Sequence, residues 1–165
     1  MTNRVERILL PTDFSDTAAV AMDYACELAS AFGAALHVIH VVENTNPTGG
    51  WPAGKRYTTP PPSLTAGIEH EVRNELQSII DKRTPPVQKS VLVVKTGSPL
   101  VEIVRYAAEQ HVDLIVMGTH GHGPIAHMLL GSVADNVIRR APCPVLTVRH
   151  PGHAKTENSK LKTQN

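Results

Sequence analysis

The sequence predicts a three-layer, doubly wound α/β fold: a five-stranded parallel sheet with helices on both faces. Three observations predict it. Short aliphatic runs alternate with longer stretches whose apolar residues recur at every third and fourth position, in the order βαβαβαβαβ. Hydrophobic residues make up 41 % of the chain but aromatic ones only 4 %, and such aliphatic composition suits strands buried on both faces. Three of the runs end in small or polar turns, Thr12-Asp13, Gly97-Ser98 and Gly118-Thr119, as strands that lead into crossover helices do.

The first strand is Ile8 to Pro11, a continuous apolar run closed by Thr12 and Asp13. Ser15 stands where a helix cap belongs, Ala18, Met22, Ala25, Leu28 and Phe32 form the apolar face, and Gly33 is the expected left-handed stop. Leu36 to Val42 is the second strand. From Asn44 to Gly67 the pattern dissolves into Pro, Gly, Thr and Ser, including Pro60, Pro61 and Pro62, which predicts an exposed, mobile insertion without helix or strand. Helical spacing resumes at Ile68, Val72, Leu76 and Ile79 and stops before Pro85 and Pro86.

Ser90 to Lys95 is the third strand. Gly97, Ser98 and Pro99 supply a turn, an N-cap and a first-turn proline for the third helix, whose face is Leu100, Ile103, Val104 and Ala107. Asp113 to Met117 is the fourth strand. A glycine-containing loop, Gly118 to Gly131, follows, with one or two helical turns expected in Ile125 to Leu130. Ser132 opens the last helix through Val133, Val137 and Ile138, and Arg139 and Arg140 close it where cations suit the helix dipole. Pro144 to Val148 is the fifth strand.

The 165 residues fit one domain, residues 1–150, with the 44–67 insertion inside it and a polar tail, 151–165, expected to be disordered. Sixteen basic against fifteen acidic residues give a formal charge of +1 without a basic block, so there is no electrostatic footprint for nucleic acid. The first apolar run is too short for a signal-peptide core or a membrane span, and a cytoplasmic protein without membrane attachment is expected. Cys26 and Cys143 show neither metal-like spacing nor a disulfide framework and read as small buried thiols.

In an open α/β sheet the ligand crevice lies beyond the carboxyl ends of the strands, where the strand order reverses. With the order 3-2-1-4-5, Thr12 and Asp13 face Gly118, Thr119, His120, Gly121, His122 and Gly123 across that point. Gly118, Gly121 and Gly123 let backbone approach a phosphate closely, and the helix that begins at Gly131 and Ser132 turns its unpaired N–H groups into the same space. Taken alone, the glycines are equally what a turn needs, and Ser132 equally a helix cap.

The spacing is more specific: Gly118, two residues, Gly121, nine residues, then Gly131-Ser132. It follows an apolar strand, opens a helix, and accompanies a first strand ending in Pro11, Thr12, Asp13, Phe14 and Ser15. In these features, over roughly residues 4–149, the chain resembles the nucleotide-binding universal stress proteins. The resemblance implies ATP, or ADP or AMP, as ligand. Asp13 would meet the ribose with Pro11 and Thr12 beside it, and the Val41 backbone would meet the adenine edge. Met117 and Gly118 would lie by ribose and base, and Gly121, Gly131, Ser132 and Val133 would hold phosphates. His120 and His122 belong to the same loop, and His122 stands where many such proteins carry Arg or Lys. That predicts tighter ATP binding near pH 6 than near pH 8.

His120 and His122, with His127 or His40, form only a weak metal motif, because no Cys or carboxylate accompanies them. Mg carried by the phosphates, touching Asp13, is the better fit. A regulatory, stress-response role through nucleotide-dependent conformation or assembly accounts for the loop. An efficient ATPase is disfavoured, since there is no Gly-x-x-x-x-Gly-Lys-Ser/Thr loop, no lysine between Gly118 and Gly131 and no paired carboxylates. Slow hydrolysis, adenylyl transfer and a nucleotide-free interaction module remain the alternatives, and a phosphoacceptor role for Asp13 lacks its acid cluster. The resemblance also implies a homodimer, for which strand 5, with Val145, Leu146 and Val148, offers a sheet edge.

Overall fold

The structure, a computed structural model, describes residues 4–43, 62–83, 86–119 and 131–150. His120, Gly121, His122, Gly123, the helical turns expected in 125–130, residues 44–61 of the insertion and the tail 151–165 lie outside these residues. Along the described chain run β1 (Arg7–Pro11), α1 (Asp16–Phe32), β2 (Ala35–Val42), α2 (Pro62–Asp81), β3 (Ser90–Thr96), α3 (Pro99–Glu109), β4 (Leu114–Gly118), α4 (Ser132–Arg140) and β5 (Val145–Val148). All pairings are parallel and the sheet order is β3-β2-β1-β4-β5, as expected.

β1 lies at the centre, with Ile8 paired to Leu36 on one side and Leu114 on the other. Its Ile8, Leu9 and Leu10 are fully buried, because neighbouring strands cover both edges and helices both faces. Alternate residues feed two cores. Ile8, Leu10, Leu36, Val38 and Val116 pack with Ala21, Met22 and Ala25 of α1 and Leu76 of α2. Leu9, Ile39, Ile115 and Met117 pack with Ile103, Tyr106 and Ala107 of α3 and Ala134 and Val137 of α4. Truncating any one of these large aliphatic side chains to Ala costs about 2–5 kcal/mol.

The caps of α1 form as the sequence predicts: Ser15 Oγ accepts from Ala18 N at 3.2 Å, and Gly33 ends the helix at φ 64°. Its apolar face differs at the last turn, where Phe32 is 46 % exposed. At 17 residues α1 is about 25 Å long, whereas β1 and β4, on which it packs, have 5 residues each and span only about 17 Å, so the helix is longer than either strand beneath it.

The insertion ends earlier than expected. Helix α2 begins at Pro62, so residues 62–67 are helical; a proline fits the first helical turn, where its missing N–H is not needed. β4 begins at Leu114 instead of Asp113, whose carboxylate Oδ2 accepts from the backbone N of Glu6 (2.8 Å) and Arg7 (2.9 Å) at the start of β1. Cys26 is buried, and burial pushes its thiol up to about 11. Cys143 is only half-buried, a departure from the expected buried thiol, because it sits in the turn before the edge strand β5. On β5 itself Leu146 is 38 % exposed, while Val148 is buried in the α1/α2 core. None of the helices among the described residues is long and apolar enough to cross a membrane.

Candidate functional site

Because all strands run the same way, their carboxyl ends share one edge, and the order reverses between β1 and β4. The crevice of a doubly wound sheet opens there.

At the β1 side, Thr12 extends the ladder by one bond, its N donating to Ile39 O at 2.9 Å. The chain then turns sharply. Phe14 N donates to Thr12 Oγ1 at 3.2 Å, and Ser15 N to Asp13 Oδ1 at 3.0 Å, so side chains of the turn satisfy its own backbone. Asp13 is exposed at the strand end with its carboxylate oriented by that second bond. Phe14 takes φ 63°, a left-handed conformation uncommon for a bulky residue, and its ring lies 4.8 Å from that of His40 on β2. His40 Nδ1 lies 2.8 Å from the Thr12 carbonyl oxygen.

At the β4 side, Gly118 abuts α1. A Cβ there would stand 2.9 Å from Thr17 Cγ2 and 3.1 and 3.2 Å from the Thr17 backbone, so only glycine lets the strand end lie against the helix's first turn. Sequence reasoning weighed this glycine as ligand approach or plain turn and missed the packing contact, since Thr17 is remote in the chain. The next residue, Thr119, is buried, and its N donates to Val148 O at 2.9 Å.

Gly131 N then donates to Thr119 O at 2.6 Å, which joins the two ends of the glycine loop and sets the start of α4 directly beside the end of β4. Gly131 is the N-cap, at φ −68° and ψ 154°, and Ser132 is the first residue inside the helix, so the cap that Ser132 was equally suited to provide belongs to Gly131. A glycine cap carries no acceptor for the first-turn amides, which therefore suit an external anion. Ser132 is exposed; Val133 is partly buried against the α3/α4 core and has only its backbone to offer. Asp135, in the same turn, pairs with Arg139 at 3.1 Å.

The remaining expected site residues are arranged as follows. Pro11 is buried in β1 opposite Ile39. Val41 is partly buried against the α3/α4 core, one pleat beyond Ile39. Met117 is buried in that core, so its backbone is the part nearest the edge. Thr12, Asp13, Gly118, Gly131 and Ser132 thus gather on one edge, with Val41 at the end of the neighbouring strand. The sequence reading missed the tie between His40 and Thr12; the two histidines, His37 and His40, inside the aliphatic run of β2 were the signal. It also missed the buried pair His37 Nδ1 and Tyr106 OH, 2.8 Å apart, nearer the opposite edge. Desolvation, then the charge of Arg7, holds His37 below its ordinary range.

Comparisons with known proteins agree with this architecture. Residues 4–149 match the sequence model described as the Universal stress protein family. Universal stress protein MJ0531 of Methanocaldococcus jannaschii is 35 % identical over 153 residues, which cover 90 % of this chain and 85 % of that protein. The universal stress protein from Archaeoglobus fulgidus, solved in complex with dAMP, superposes with a TM-score of 0.59 at 26 % identity, over 88 % of this chain and 98 % of its own. A universal stress protein solved in complex with cAMP gives the same TM-score of 0.59 and 26 % identity over the same shares, 88 % and 98 %. Matched along nearly its whole length by sequence and by fold, the chain belongs to the universal stress protein family.

Proposed function

We propose that the protein binds ATP in the crevice between the ends of β1 and β4 and works as a regulatory, stress-response protein whose conformation or assembly follows nucleotide occupancy. The observation that carries this reading is the bond from Gly131 N to Thr119 O, which draws the glycine-capped start of α4 to the strand end across from Asp13. The donor set suits a polyphosphate: backbone amides and the exposed Ser132 hydroxyl attract negative charge without requiring a fixed cation. Relatives solved with cAMP and dAMP support an adenine nucleotide as the ligand class.

In this reading Asp13 receives the ribose, with Pro11 and Thr12 as the adjoining wall, and Val41 presents its backbone to the adenine. Met117 and Gly118 adjoin the nucleoside. His120, Gly121, His122, Gly131, Ser132 and Val133 take the phosphates, and Mg enters with them near Asp13. The protein's part is to bind and orient. Of the carboxylates at this edge, that of Asp13 is turned to Ser15 N and that of Asp135 pairs with Arg139, which favours occupancy over rapid turnover. A cytoplasmic location and a homodimer through β5, led by the exposed Leu146, complete the proposal.

Purification without added nucleotide, followed by analysis of the denatured extract and calorimetric titration with ATP, ADP, AMP and cAMP, tests the reading. Recovered or titratable ATP supports it; tight binding of AMP or cAMP with no gain from further phosphates moves the ligand to a monophosphate. No binding of any of the four overturns it. Titrations near pH 6 and pH 8 with Mg matched test the contribution of His120 and His122: tighter binding is expected at the lower pH.

A further inference from the structure

We propose that His40 is a positioning residue for the nucleoside end of the crevice: its imidazole holds the Thr12 carbonyl and backs the Phe14 ring, and thereby sets the Asp13 carboxylate. The inference rests on the reading of this crevice as a nucleotide site, and it adds a residue that touches no ligand.

The Thr12 carbonyl oxygen only accepts, so at 2.8 Å the Nδ1 of His40 donates. The neutral ring is therefore the Nδ1–H tautomer, and the bond survives protonation of Nε2. Thr12 is consequently held by β2 twice: its N–H by the Ile39 carbonyl at 2.9 Å, and its C=O by the side chain of the next residue. In a regular parallel ladder the amide that follows, Val41 N–H, would take that carbonyl. The register between β1 and β2 instead ends at Pro11 and Ile39. His40 thus substitutes a side-chain donor for a ladder bond at the point where the strands part, and Val41, whose backbone is to meet the base, is not the group that secures the β1 turn.

The same ring supports the rest of the turn. Phe14, left-handed at φ 63°, lies 4.8 Å from His40 at a tilt of 50° and packs on the α1/α2 core. Such a conformation persists only where surrounding contacts hold it. Asp13 sits between the two residues that His40 touches, and its Oδ1 is oriented by Ser15 N at 3.0 Å within that turn. His40 thus holds both residues that flank Asp13, and within the turn so held Ser15 N directs its carboxylate.

The test compares His40→Leu, His40→Asn and His40→Gln in the full chain, titrated with adenosine and with ATP. Asn keeps a donor at the δ position, whereas Gln moves it outward. The Leu and Gln variants are expected to bind both ligands about tenfold more weakly, and Asn within about twofold of the parent, with the ratio of ATP to adenosine affinity unchanged. Equal losses for Asn and Leu, or a loss confined to ATP, overturn the proposal. Where the Leu variant does not fold, the Asn and Gln pair decides, and 15N NMR of the parent ring gives an independent check: a proton on Nδ1 is required, and a ring protonated on Nε2 alone overturns it. If the parent binds neither ligand, the nucleotide reading falls and the positioning role with it, while the NMR result still reports whether the tie to Thr12 exists.

Discussion

Two turns leave the same sheet edge and lead into helices, yet they are built in opposite ways. After β1 the chain reaches α1 in four residues, Thr12 to Ser15, and side chains answer its backbone at each step: Thr12 for Phe14, Asp13 for Ser15, Ser15 for Ala18. After β4 the chain travels from Thr119 to Gly131 before α4 begins, and the cap is a glycine without an acceptor. The first turn is finished by its own side chains, while the N-cap of the second supplies none. In the proposed reading the fixed wall would take the nucleoside and the glycine-capped wall the phosphates.

Substitutions at the two turns should therefore fail differently. The largest effect is expected at their shared contact: Gly118→Val drives side-chain atoms into the Thr17 backbone, 3.1 Å from the first of them, and should lower stability by about 3 kcal/mol in urea titrations while abolishing ATP binding. Next comes Gly131→Asp, which gives α4 the kind of cap that α1 has. The backbone at φ −68° accepts Asp without strain, and Gly and Asp caps differ by only a few tenths of a kcal/mol, so stability should hold while ATP binds at least about tenfold more weakly. An Asp variant with undiminished affinity would erase the contrast between the turns. Ser15→Ala should show the reverse pattern, a loss of about 1 kcal/mol in stability with little change in ATP affinity.

The smallest effect is expected far from both turns, at His37. Its folded ring is held below the unfolded value of 6.5, so as pH falls the unfolded chain takes up this proton first. The stabilising difference is whole above about pH 6.5 and declines below it until the folded ring also protonates. Urea midpoints near pH 7.5 and 5.5 should therefore separate further in the parent than in His37→Gln, with ATP affinity at fixed pH unchanged by the substitution. Equal separations would show that the buried pair with Tyr106 carries no proton linkage.

Most of the fold was legible because its signals are local. Ser15 and Gly33 bracket α1 by chemistry confined to a turn, and the aliphatic runs of β1 and β4 report burial on both faces directly. What was misread depends on neighbours that only the folded chain supplies. Phe32 obeys the helical spacing but is exposed at the end of a helix longer than the strands beneath it; Pro62 opens a helix instead of breaking one; Asp113 leaves its strand to hold the amides of Glu6 and Arg7. The candidate site divides similarly. Its glycines stood out by spacing, whereas the packing demand at Gly118 and the tie between His40 and Thr12 join residues from separate elements and leave no spacing signal.

That clasp by Asp113 also bears on the order in which the molecule is made. It joins residues 107 apart in sequence, and β1 receives β4 only after most of the chain exists. The β1–α1–β2 unit needs only short-range closure and is available early, but the crevice has a second wall only once the distant strand arrives. The proposed site thus belongs to the finished sheet and to no smaller part of it, so that nucleotide bound there would report completion.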